Sequence, residues 1–196
     1  MWHRVLGSAS FHRELSAIDE DLANRARAGG CPVCGAVVHA ASYPRKPRGG
    51  PDGLGSGQDR RHSFCCAERD CRKRLTPTSV RFLDRRVYLS VVVVLAAALV
   101  EGLSASRTRK LCAELGVDRR TLDRWREWWR EEVPRTDWWT ELRGRLARPP
   151  DPACLPGSLL ERIEGESEEQ RVLRLLHLLE PLSHSVLMRR RLARVA

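Results

Sequence analysis

Near the N-terminus, Phe11, Leu15, Ile18 and Leu22 recur at intervals of four, three and four residues, with Glu14, Asp19, Glu20 and Asp21 between them. That period predicts an amphipathic α-helix from about Ser10 to Arg27, stopped by Gly29-Gly30. The helical period then lapses, and AVVHAASY after Gly35 and the stretch Arg60 to Cys66 are expected as two short strands. Between them lies PRKPRGGPDGLGSG, Pro44 to Gly57, whose Gly and Pro content excludes regular structure. It reads as a flexible linker or as a loop whose Arg45, Lys46 and Arg48 touch phosphate. Thr76-Pro77-Thr78 breaks the chain again.

The most apolar run is LSVVVVLAAALV, Leu89 to Val100. Four consecutive valines favour a strand, but the following alanines and the length favour a buried helix from Asp84 to about Glu101, with Asp84 as cap and Gly102 as stop. The 12 residues fall short of the roughly 20 that cross a bilayer. Residues 104–132 have the pattern of two consecutive helices. Pro134, Pro149, Pro150, Pro152 and Pro156 then interrupt the pattern. From Ser167 to Ala196 helix returns, with Val172, Leu173, Leu175, Leu176, Leu178 and Leu179 on a broad apolar face and Pro181 bending or ending it.

Cysteine placement changes this outline. Five of the seven cysteines lie between positions 31 and 71. The N-terminus has no apolar export segment, so the expected compartment is the cytoplasm, where thiols stay reduced and clustered cysteines point to metal. Cys31-Pro-Val-Cys34-Gly has the form of a knuckle, two thiolates in a tight turn. A closed set of four such ligands around Zn2+ is structural. The second pair must come from Cys65, Cys66 and Cys71. Adjacent strand residues face opposite ways, so only one of Cys65 and Cys66 reaches the metal. Cys66 is favoured, because it shares a face with Phe64 towards the ribbon core; Cys65 is the alternate and otherwise a small packing residue. His39 and His62 are reserves should one cysteine fail to bind. A redox dithiol of Cys31 and Cys34 is the rival reading, but the strand-helix-strand surroundings of such proteins are missing.

The expected fold is thus mainly α with a small β zinc ribbon and a helix-turn-helix helical domain. The segments are residues 1–30 (an N-terminal amphipathic helix), 31–80 (the ribbon), 81–135 (the helix pair) and 136–196 (a C-terminal helical segment).

Charge gives this outline a direction. The formal net charge is +10, and residues 31–130 hold all of it, with twenty Lys plus Arg against ten acids. A basic block between neutral flanks is the footprint of a polyanion-binding module. Within it, TRKLCAELGVDRRTLDRWRE (108–127) supplies Leu111, Cys112 and Leu115 for packing, Gly116 and Val117 for the turn, and Asp118 as a cap. Leu122 and Trp125 point back to the core, which leaves Arg119, Arg120, Thr121, Asp123 and Arg124 on the opposite face, towards a major groove. Arg107, Arg109 and Lys110 on the first helix suit the DNA backbone. Trp125, Trp128, Trp129 and Trp139 are expected in the core or a dimer contact.

CPVCG, the second cysteine cluster running into CRKRLTPTS, and LSASRTRKLCAELGVDRRTLDRWREWW together resemble the zinc-ribbon plus helix-turn-helix front end of bacterial insertion-sequence transposases and their associated proteins. The likeness covers about residues 31–130. It implies binding to double-stranded DNA, with a transposase or a second copy of the chain as a further partner, a nucleoid location, and no small-molecule substrate. The second knuckle is longer than the two-residue spacing of that family. The acids Glu161, Glu164, Glu166, Glu168 and Glu169 crowd the start of one helix and lack the strands that present a catalytic triad. The chain is therefore expected to be a sequence-specific DNA-binding factor, transposon-associated or regulatory, and not an enzyme. A zinc-ribbon module that docks on a protein such as RNA polymerase, and a DNA-binding transposase subunit, are the alternatives.

Overall fold

A computed structural model of the chain describes residues 2–45, 47–51, 58–84 and 86–183. The described chain is mainly helical, with a small antiparallel sheet. It opens with α1 (Trp2–Gly7) and α2 (Ala9–Ala28), the latter capped by the Ser8 hydroxyl accepting from the Phe11 N–H. Five strands of two or three residues follow: β1 (Val38–Ala40), β2 (Tyr43–Pro44), β3 (Arg60–Arg61), β4 (Phe64–Cys66) and β5 (Arg74–Leu75). The remainder is α3 (Ser90–Leu99), α4 (Ala105–Glu114), α5 (Arg119–Glu127), α6 (Asp137–Arg145), α7 (Gly157–Leu160) and α8 (Glu168–Leu179).

The two expected strands are each divided. β1, β4 and β5 form one antiparallel sheet with β4 central, in the register Val38 opposite Cys66 and Phe64 opposite Leu75. β2 and β3 form a separate pair. The break falls at His62-Ser63, where the Ser63 hydroxyl turns to the Leu75 carbonyl.

Two clusters of buried side chains result. The larger joins Phe11 and Leu15 of α2 to α3, α4, α5, the tryptophans and α8. Ser90 to Ala97 of α3 are all buried, which explains a helix that is apolar on every side. Burial on all faces also overrides the strand preference of its valines. The helix is shorter than expected. Asp84 does not cap it but sits earlier, in a turn at φ +48°, and α3 opens at Ser90, whose N–H bonds the Arg81 carbonyl at 2.8 Å. Trp125, Trp128, Trp129 and Trp139 all lie in this core. α8 ends at Leu179 in a short 3-10 turn containing Pro181; the expected continuation to Ala196 lies outside the described residues.

The smaller cluster is Ala23, Cys31, Val38, Phe64 and Cys66. Since Phe11 and Leu15 serve one core and Ala23 the other, α2 spans both. Between them its Asp19 is buried, accepting from the Ser79 hydroxyl at 2.6 Å and the Val80 N–H at 2.8 Å. Burial pushes this carboxyl above its ordinary range, against those two hydrogen bonds and the nearby charges of Arg81 and Arg61. The guanidinium of Arg61 in turn donates to the carbonyls of Pro77 and Thr78. Ser183 Oγ accepts from the Ser79 N–H at 2.9 Å, which ties the end of the described chain to the same point.

Asp19→Ala strands a buried hydroxyl and a buried N–H at about 1–3 kcal/mol each, and removes a nearby negative charge from the buried Arg61 and Arg81 guanidinium groups. A loss of about 3 kcal/mol in urea unfolding is the expected outcome; a loss below about 1 kcal/mol would show that the node is not structural.

Candidate metal centre and nucleic-acid interface

The first knuckle is built by two left-handed glycines. Gly30 stands at φ +69° and Gly35 at φ +72°, and a Cβ on Gly30 would lie 2.9 Å from the Gly35 carbonyl oxygen. Cys31 N–H bonds the Ala36 carbonyl and Gly35 N–H bonds the Cys31 carbonyl, both at 2.8 Å, closing the turn. Within it the N–H groups of Cys34 and Val33 point at the Cys31 sulfur and lower its thiol to about 6. The second knuckle runs from Cys66 through a turn in which the Glu68 carbonyl accepts from Cys71 and Arg72.

The four sulfurs of Cys31, Cys34, Cys66 and Cys71 lie within 4.8 Å of one another. Cys31 to Cys71 is 3.7 Å and Cys34 to Cys66 is 3.5 Å. A disulfide would need about 2.05 Å. A tetrahedral ion with metal–sulfur bonds of ~2.3 Å sets its ligands about 3.8 Å apart, so the observed spacing fits such an ion. The cluster is therefore compatible with a metal site, through the set of four expected from the sequence.

Cys65 does not join it. Its thiol lies on the opposite face of β4, half-buried, 3.6 Å from the Arg72 carbonyl oxygen. The packing role expected for it is corrected accordingly, because that face of the three-stranded sheet is open while Phe64 and Cys66 occupy the closed one. His39 is exposed and pairs with Cys65 in the sheet register, and neither it nor His62 belongs to the cluster. Burial pushes the His62 imidazole down.

Beyond the ribbon, α4 and α5 are joined by the turn Leu115 to Asp118. Gly116 adopts φ +58°, Val117 is buried, and the Asp118 carboxylate caps α5 by accepting from the N–H groups of Arg120 and Thr121. Leu122 and Trp125 are buried at 1% and 5% exposure, which fixes the opposite face of α5 outward. Arg119, Arg120, Asp123 and Arg124 are exposed there, with Thr121 half-buried. Arg119 Nε bonds both oxygens of Asp123 at 3.1 Å, and Arg124 donates to the Thr121 hydroxyl at 3.0 Å. The Arg120 side chain makes no hydrogen bond or ion pair among the described residues. On α4, Arg107 and Arg109 are exposed and Lys110 stands 4.0 Å from Glu114. Glu161, Glu164 and Glu166 are exposed, while Glu168 and Glu169 open α8 behind the Ser167 cap.

The surroundings of α5 were less visible in the sequence. Tyr88 packs edge-on against Trp125 at 5.0 Å and donates to the Gly116 carbonyl at 3.1 Å, and Arg86 stacks on Trp128 at 3.8 Å. Neither residue carries a local signal, because its role arises only from contacts with distant segments. No helix among the described residues is long and apolar enough to cross a membrane. No protein-family model matches the chain, and no curated protein or solved structure matches it either.

Two measurements check the metal centre. Elemental analysis of the purified chain is expected to find about one metal ion per chain; Cys66→Ser loses it and Cys65→Ser retains it, whereas equal loss in both contradicts the ligand set. Ligands bind metal as thiolates, and burial pushes the free Cys66 thiol up to about 12, so ion uptake must release protons and acidification must release the ion. A metal content unchanged on acidification would contradict thiolate ligation.

Proposed function

We infer that the chain binds double-stranded DNA in a sequence-specific manner, as a transposon-associated or regulatory factor, with a structural Zn2+ in the four-cysteine cluster. The observation that carries this reading is α5. Its apolar side is seated in the core, and its outward side presents three arginines and a threonine in its first two turns. In a helix entering the major groove, arginine reads guanine edges, and N-terminal residues reach the bases first. Arg120, uncommitted within the chain, is assigned the base contact. Arg119 is aligned by Asp123, and Arg107, Arg109 and Lys110 on α4 serve the phosphates. The cysteine cluster supplies no open coordination position to chemistry, since four protein ligands complete a tetrahedron. Its role is to hold the ribbon.

A second reading is favoured by one observation. Val33 within the first knuckle and Val37 just after it are 66% and 69% exposed, as apolar groups at a protein-docking surface would be. The two readings separate on salt. A protein that neutralises about six to ten phosphates loses roughly 10³–10⁵ in affinity between 50 and 200 mM salt, whereas docking through valines is nearly insensitive.

Fluorescence anisotropy on duplex DNA is expected to show that steep dependence. Arg120→Ala should cost about 1–3 kcal/mol on the preferred sequence and little on an unrelated one. Equal losses on both duplexes would remove base reading from Arg120.

A further inference from the structure

The segment Pro47 to Pro51, within the stretch expected to be a flexible linker, is docked on the helical core. Arg48 forms a bridge with Tyr88: its N–H bonds the Val87 carbonyl at 2.9 Å and its carbonyl accepts from the Leu89 N–H at 3.1 Å. Gly49 is at φ +84°, and a Cβ there would stand 2.7 Å from a methyl of Val92 on α3, so only glycine lets the strap lie this close. Arg45 secures the same segment by donating to the carbonyls of Asp84 and Arg86 at 3.0 and 2.9 Å. The strap therefore carries Arg48 from the ribbon to the side of α5.

There the exposed Arg48 guanidinium lies 6.0 Å from the centre of the Tyr88 ring. It borders a cleft of about 500 Å³ that Thr121 and Arg124 of α5 also line. Tyr88 and Trp125, packed on each other, complete the lining between them. Two carboxylates also line the cleft: Asp118 caps α5, and Asp84, whose Oδ1 is buried without a hydrogen-bond partner among the described residues, lies close enough to Arg86 to favour its charge, while Arg86 stacks on Trp128. Arg48 and Arg124 remain to face a ligand, with no carboxylate paired to either among the described residues. Arg124 is held in place by its bond to Thr121.

We propose that this cleft seats one backbone phosphate of the duplex that α5 reads, held between Arg48 of the strap and Arg124 of α5. The proposal rests on the DNA-binding reading above and adds a partner atom to it. Two guanidinium forks match phosphate oxygens in shape and charge. The site lies in the first turns of a helix whose N-terminal end is itself partially positive. A phosphate fixed there sets the phase of α5 on the duplex without carrying sequence information.

The test is Arg48→Ala in the full chain, with affinity measured by anisotropy across a salt series on a preferred and an unrelated duplex. Because the side chain is exposed and the strap is held through backbone atoms, melting temperature and metal content should match the parent. The expected result is a three- to tenfold weaker affinity on both duplexes, with the slope of log K against log salt reduced by about 0.9. Arg48→Lys, which keeps the charge, should retain the slope. An unchanged slope in Arg48→Ala, or a loss confined to the preferred duplex, overturns the phosphate seat and leaves the DNA-binding reading standing. A parent chain whose duplex binding ignores salt removes both.

Discussion

The four clustered cysteines sit in a sheet region whose own core is five buried side chains. Ordering each backbone residue costs about 1–2 kcal/mol, while burying Val38 and Phe64 returns about 1.5–3 kcal/mol apiece. The strands are two or three residues long and form two separate small sheets. The four sulfurs lie within 4.8 Å of one another although they come from turns some 35 residues apart in sequence. Metal binding at four thiolates is worth on the order of 10 kcal/mol or more in small domains. A metal held at the four cysteines would therefore contribute more than the apolar burial of this small sheet region does.

Two of the connections between the sheet region and the helical core stand out. α2 runs through both clusters, with Asp19 accepting from the Ser79 hydroxyl and the Val80 N–H between them. The strap around Arg48 and Gly49 makes the second connection, on α3 and beside α5. Neither is a flexible tether. With both in place, basic side chains of the ribbon segment and of α5 border one cleft, and the charge that residues 31–130 concentrate is organised in space as well as in sequence.

Features with local causes were legible in the sequence. The period of Phe11, Leu15, Ile18 and Leu22 gave α2 to within a residue or two. CPVCG gave the first turn, because two left-handed glycines around a cysteine pair leave a short-range mark. The choice of Cys66 over Cys65 followed from strand alternation together with the face shared with Phe64 and the shorter turn to Cys71. Asp118 as a cap and Gly116 in the turn fixed the α4–α5 corner.

What stayed hidden depends on distant contacts. Asp19 lies among Glu20 and Asp21 and looks solvated, yet it faces Ser79, sixty residues away. Asp84 has the chemistry of a cap, but α3 starts at Ser90 because the segment before it bridges to the strap, and Leu89 at the cap position offers no side-chain bond. Gly49 belongs to a Gly- and Pro-rich run that composition marks as unstructured. The bonds of Arg48 to the 87–89 backbone give it a fixed place, and the Val92 methyl facing it leaves room only for glycine.

On the proposed reading, α5, presented by this core, reads a DNA sequence. Selection of bound duplexes from a random pool at about 0.15 M salt tests it most directly. A single enriched motif with guanine at the positions nearest the α5 N-terminus is the predicted result; a pool that emerges from selection without any enriched sequence would contradict it.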